Sequence, residues 1–180
     1  MLKIITAPNK ILSQPAQPVS AFDQRLKETV KQMIEILEKQ TDPPGVGLAA
    51  NQVGLDIALF IIKPTKKSKI SVFINPKIIK TVLLKDSPSK ACKKKMIKLE
   101  GCLSLPKIWG PIKRASRVLL QYQDLEGKMH QRWFSGFEAV IIQHEVDHLQ
   151  GIVFTQRSLE QNQPLYEEKD GQLKRIKNLL

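Results

Sequence analysis

The sequence predicts an α+β domain, with mixed or antiparallel strands packed around a central helix that carries a metal-binding motif, plus an N-terminal helix. Three observations predict it. An apolar stripe at helical spacing lies early in the chain, the middle is a succession of β-branched runs, and one helix that is apolar on every side follows them. Strands followed by a single helix point away from a regular β-α-β alternation. The length of 180 residues suits one domain with its own core, read here as spanning 1–160, with a polar, basic tail over 161–180.

The first helix is predicted over Ala21 to Gln40. Phe22, Leu26, Val30, Met33, Ile34 and Leu37 share one stripe, and Ser20 with Asp23 three residues on resembles a capping box. Asp42-Pro43-Pro44-Gly45 then forces a turn. Strands are predicted at Ile57 to Ile62, Ile70 to Ile74 and Lys77 to Leu84. Lys85 to Lys98 reads as a polar, lysine-rich loop. Ser116 to Gln123 and Lys128 to Phe134 flank Asp124-Leu125-Glu126-Gly127, a hairpin turn. The second helix opens at Ser135, where Glu138 completes a capping box, and stops at Gly151. Its segment Ala139-Val140-Ile141-Ile142 is apolar all round, which places it in the interior. Ile152 to Thr155 is read as a final strand, and the chain after Gln161 as loosely held.

Composition bounds the function. No apolar run reaches the length of a membrane span, and Pro8 interrupts the N-terminal apolar residues before a signal core forms, so the cytoplasm is the expected location. In that compartment Cys92 and Cys102 are expected as thiols. The formal net charge is +12, with lysines clustered at Lys63 to Lys69, Lys90 to Lys98, Lys113 to Arg117 and Lys174 to Lys177. A solvated surface explains this, and so does attraction to a polyanion such as ribosomal RNA.

The most specific feature is Gln143-His144-Glu145-Val146-Asp147-His148. His144 and His148 are four apart, so on a helix both imidazoles leave one face and grip one cation. Glu145 stands beside the first ligand, where a carboxylate can shuttle a proton. A catalytic site of this kind takes three protein ligands and keeps a position open. Downstream of His148 the candidates for the third ligand are Glu160, Glu167 and Glu168. Upstream, Cys102 in Glu100-Gly101-Cys102-Leu103-Ser104-Leu105-Pro106 is favoured, because a thiolate binds divalent first-row metals strongly. Cys92 and His130 read as bystanders. Gly45-Val46-Gly47-Leu48-Ala49-Ala50-Asn51-Gln52 formally fits a dinucleotide fingerprint but follows a helix and prolines, and no acidic residue lies between Ile57 and Lys85. Close approach of its backbone to a substrate, with Gln52 as a polar anchor, fits better.

These three segments, in this order, resemble the motifs of the peptide deformylase family, and the resemblance runs from about Ile4 to Phe154. It implies a single peptide-deformylase-like catalytic domain that removes the formyl group from N-terminal formyl-methionine of newly made polypeptides. It implies Cys102, His144 and His148 as metal ligands, Glu145 as general acid/base toward a metal-activated water, and Gln52 with the Leu103 backbone N–H as oxyanion donors. One divalent ion per chain is implied, with Fe²⁺ native and Zn²⁺, Ni²⁺ or Co²⁺ accepted. Substrate contacts are expected from Val46, Gly47, Gly101, Phe137, Val140 and Ile141, the last three sharing the metal-facing side of the helix. Asp147 is expected to pair with Arg114. The sequence departs from the family pattern at Trp109, where an arginine is common, at Pro44, where an acidic residue is common, and in the inserted Lys85 to Lys98. Two other readings remain: another H-E-x-x-H metallopeptidase, which needs its third ligand after His148, or a basic ribosome- or RNA-binding protein with an inactive site.

Overall fold

A computed structural model describes residues 2–41, 44–83 and 99–177. Helix α1 (Gln24–Glu38) buries Leu26, Val30, Met33 and Leu37, the centre of the predicted stripe. It starts later than the sequence suggested. Asp23, not Ser20, is the cap, its carboxylate accepting from the Leu26 N–H.

Five strands form the larger sheet, in the order β1 (Gly47–Ala49), β2 (Leu59–Ile62), β3 (Ser71–Val82), β6 (Arg117–Gln123) and β7 (Met129–Ser135). Every pairing in it is antiparallel. The two strands predicted at Ile70 to Ile74 and Lys77 to Leu84 are one strand with irregular register near Asn75. Asn75, with φ of 50°, bonds the Val19 backbone in both directions and so ties the chain before α1 to that irregularity.

β2 is buried along its whole length because both of its faces are covered. Leu59 and Ile61 pack with Leu26, Val30, Met33 and Leu37 of α1. Phe60 and Ile62 pack on the opposite side with Ile141, Ile142 and Val146 of α2 (Gly136–Leu149). Alternation along the strand thus feeds two cores, which is why Leu-Phe-Ile-Ile reads as an unbroken apolar run. The Ser135 hydroxyl makes no cap bond to α2, so the expected capping box is not formed; Glu138 instead places a negative charge in the first turn.

A second, four-stranded antiparallel sheet runs β4 (Leu99–Cys102), β5 (Leu105–Pro111), β8 (Tyr166–Lys169), β9 (Gln172–Arg175). The segment expected to be a loose tail therefore forms a hairpin, β8–β9, docked on β5. The strand expected at Ile152 to Thr155 is instead the start of helix α3 (Phe154–Glu160), which buries Phe154. Both departures arise because these short segments take their conformation from distant neighbours, not from local periodicity.

An N-terminal ribbon, extended apart from a single 3-10 turn at Lys10–Ser13, crosses beneath the motifs. Ile5 N–H donates to Gln52 O, Ala7 N–H to Ser104 O and Ala16 N–H to Leu149 O. Gly151, with φ of 73°, meets this ribbon so closely that a Cβ would lie 2.7 Å from the Gln14 nitrogen. The inserted Lys85 to Lys98, with Cys92, lies outside the described residues. No described helix is long and apolar enough to cross a membrane.

Candidate metal centre

α2 presents His144 and His148 one turn apart, with ring centroids 4.9 Å from each other. β4 delivers Cys102 to the same point. One ligand atom from each of the three lies within 4.8 Å of the others, and Cys102 Sγ is 3.1 Å from His148 Nε2. Glu160, Glu167 and Glu168, the downstream candidates, are engaged elsewhere, with Arg157, Lys169 and Trp109 respectively.

The thiol and the imidazoles shift one another's proton affinities. Burial raises the Cys102 thiol pKa, but the imidazoles of His148 and His144 outweigh it and hold the thiol well below its usual value. Burial likewise opposes charge on His144, and the Cys102 sulfur and Glu100 carboxylate raise it well above the usual imidazole range. Glu100 Oε2 lies 3.1 Å from His144 Nδ1, which leaves Nε2 as the ring's free donor. A thiolate with two imidazoles, one fixed by a carboxylate on its far nitrogen, suits a divalent first-row ion.

Glu100 is itself held. Arg114 grips it through Nε and Nη2, both at 2.9 Å, and turns Nη1 to Asp147. Burial pushes the Glu100 carboxyl up, but its bonds to His144 and Arg114 win and lower it. The expected Arg114–Asp147 pair is present, and Arg157 completes it with Nη2 2.9 Å from Asp147 Oδ1. The sequence alone assigns Glu100 no role, although it opens the Glu100-Gly101-Cys102 segment. The signal for it is a carboxylate two residues from the candidate thiol ligand.

Gln52 is anchored end to end. The Ala49 N–H donates to its Oε1 at 2.9 Å, which turns its Nε2 toward Cys102 Sγ at 3.4 Å and Ser104 Oγ at 3.2 Å. Ser104, fully buried, was not singled out in the sequence. Glu145 is 3% exposed, and burial pushes its carboxyl up to about 7, with the neighbouring imidazoles opposing. Among the described residues its Oε2 has no hydrogen-bond partner. Gly47 makes room for it, since a Cβ there would collide with the Glu145 carboxylate and stand 2.9 Å from Ile141 Cγ2.

These groups open on a cavity of about 220 Å³. Val46 and Gly47 line one side, Gly101, Cys102 and Leu103 another, and Phe137, Val140 and Ile141 rise from α2. All the expected site residues line it except His148, which is wholly buried beneath. Trp109 and Leu99 complete the wall. His130 is not part of the centre but is not partnerless either: its Nε2 is 2.6 Å from Asp124 Oδ2.

Comparison with known proteins identifies the family. The family model of polypeptide deformylases matches residues 1–164. A peptide deformylase of Dictyoglomus turgidum is 38% identical over 159 residues, covering 88% of this chain and 93% of the relative. One from Borreliella burgdorferi is 37% identical over 153 residues, covering 85% of each. The crystal structure of the peptide deformylase of Thermotoga maritima superposes with a TM-score of 0.74 at 32% identity, over 87% of this chain and 97% of that one. The chain belongs to the peptide deformylase family.

Proposed function

We propose that the protein hydrolyses the formyl group from the N-terminal formyl-methionine of newly made polypeptides and releases formate. In this reading Cys102, His144 and His148 hold the metal, Glu145 is the general acid and base, and Gln52 Nε2 and the Leu103 backbone N–H are the oxyanion donors. The observation that carries it is the meeting of three chain-distant segments at one cavity, with a thiol, two imidazoles, a carboxylate and an amide N–H₂.

A divalent cation bound there supplies Lewis-acid polarisation and lowers the pKa of a water to about 7. Glu145 takes a proton from the attacking water and delivers it to the leaving amine, and its unpaired Oε2 has no competing partner among the described residues. Gln52 faces the developing oxyanion with its N–H because Ala49 already occupies its oxygen. Loss of one such donor costs about 3 kcal/mol of transition-state stabilisation. Phe137, Val140, Ile141 and Val46 form an apolar slot suited to the methionine side chain, while Gly47 and Gly101 let substrate backbone approach. Fe²⁺ is proposed as the native ion, with Zn²⁺, Ni²⁺ or Co²⁺ competent, since N₂S ligation suits each. The setting proposed is the bacterial-type cytoplasm, with the lysine clusters drawing the protein to ribosomal RNA.

The test is formate release from formyl-Met-Ala by protein loaded separately with Fe²⁺ and Zn²⁺. Glu145→Ala is expected to lose at least about 100-fold in turnover with metal content retained. Equal turnover by both would remove the acid/base assignment. Cys102→Ala is expected to lose the metal; full retention would favour another H-E-x-x-H metallopeptidase. Strong salt-dependent RNA binding without any formate release would favour the RNA-binding alternative.

A further inference from the structure

We propose that Trp109 determines specificity: its indole, braced by Glu168 of the C-terminal hairpin, walls the cleft beyond the methionine slot and selects an apolar side chain on the residue after methionine. This rests on the deformylase reading above.

Trp109 lies in β5, paired with Gly101 of β4 on one side and Tyr166 of β8 on the other. Its six-membered ring covers Gly101. A Cβ at that position would stand 2.7 Å from Trp109 Cζ3 and 2.9 Å from Cε3, so only glycine lets the ring lie there. The opposite edge is tied down by Nε1, which donates to Glu168 Oε2 at 2.9 Å. A ring fixed at both ends presents a rigid apolar face at low entropic cost on binding.

Trp109 lines the cavity together with Pro44, Gly45 and Val46. The slot on α2 takes the methionine, and α2 closes that side. In this proposal the peptide continuing from methionine runs along the part of the cavity lined by the glycine segment and β4, and its next side chain meets the Trp109 indole that lines the same cavity. Apolar side chains gain contact with the ring. Acidic ones meet its electron-rich face with the Glu168 carboxylate at its edge, and are disfavoured.

The readout is the ratio of kcat/KM for formyl-Met-Phe over formyl-Met-Asp. Wild type is expected to favour the phenylalanine peptide by about 10-fold or more. Trp109→Ala should bring the ratio to within about 2-fold of unity, and Trp109→Phe should restore most of it. Glu168→Gln should lower the ratio through KM for the phenylalanine peptide, because a neutral acceptor holds the indole less firmly. The chain has two tryptophans, so Trp133→Phe leaves Trp109 as sole reporter, and its emission should shift with Met-Phe and not with Met-Asp. An unchanged ratio in Trp109→Ala with metal content intact overturns the proposal. If that variant does not fold, an unchanged ratio in Glu168→Gln together with a silent Trp109 titration overturns it. Wild type releasing no formate from any formyl-Met peptide would sink the deformylase reading instead, a separate result.

Discussion

Gly47 carries no functional group, yet the Glu145 carboxylate occupies the space its side chain would need. Gly47→Ala is expected to displace Glu145, the proposed acid and base, and lower kcat at least about 10-fold, since small misplacements of such a group are costly. Metal content, measured alongside, should hold at the wild-type level because no proposed ligand is touched. A variant with full kcat would mean that the carboxylate has freedom the packing denies it. Arg114 is the second exacting position. Its side chain is 8% exposed and compensates both Glu100 and Asp147. Arg114→Ala removes the buried cation shared by two carboxylates, leaving Glu100 with His144 and Asp147 with Arg157, and should cost about 3–5 kcal/mol in denaturant unfolding. A loss under about 1 kcal/mol would show that Arg157 alone suffices for Asp147. At this scale the sequence was most readable where chemistry narrows the choice: a thiol, two imidazoles at helical spacing and a carboxylate beside them. Glu100 and Ser104 were opaque, because each matters through a partner about 50 residues away in the chain.

The β6–β7 hairpin was predicted from its turn, and the structure adds a reason for its strength. Asp124 Oδ1 accepts from the Glu126 and Lys128 N–H groups, Gly127 takes φ of 79°, and Asp124 Oδ2 meets His130. The His130 hydrogen bond is the main cause holding the Asp124 carboxyl below its usual 3.8. A depressed carboxylate pKa adds stability above the unfolded value, and that stability is lost as pH falls through the folded one. Asp124→Asn should therefore lower Tm at pH 7, and the gap from wild type should close on acidification below about 4. A gap independent of pH would assign the effect to the turn geometry alone. Other elements left weaker traces. β1 is three small or aliphatic residues, and β4 and β5 are broken by glycine and proline, so none shows two-residue alternation. The α3 and β8–β9 segments follow packing against β5, which no local window contains.

For the molecule as a whole, the proposed ligands come from two bodies: the four-stranded sheet supplies the thiol and α2 the imidazoles. A bound ion would couple them. At free metal about 100-fold above Kd, ligation adds about 2.7 kcal/mol to folding stability. Chelation should lower Tm by several degrees and re-addition of Zn²⁺ should restore it, whereas Cys102→Ala should melt at one temperature with or without chelator. An unmoved wild-type Tm would mean that the ion does not bind the folded chain preferentially. The α+β class was visible in strand runs ahead of one motif helix. The division into two sheets was not, since it depends on which edges pair. The N-terminal ribbon has a different consequence. Its amides at Ile5, Ala7 and Ala16 reach the glycine segment, the cysteine segment and the end of the motif helix, while among the described residues no side chain there lines the cavity. An alanine scan of that stretch would score those contacts as silent, since it leaves every amide proton in place. Proline replacement, which deletes one such proton at a time, would reveal a scaffold on which the chemistry relies without any reactive group of its own.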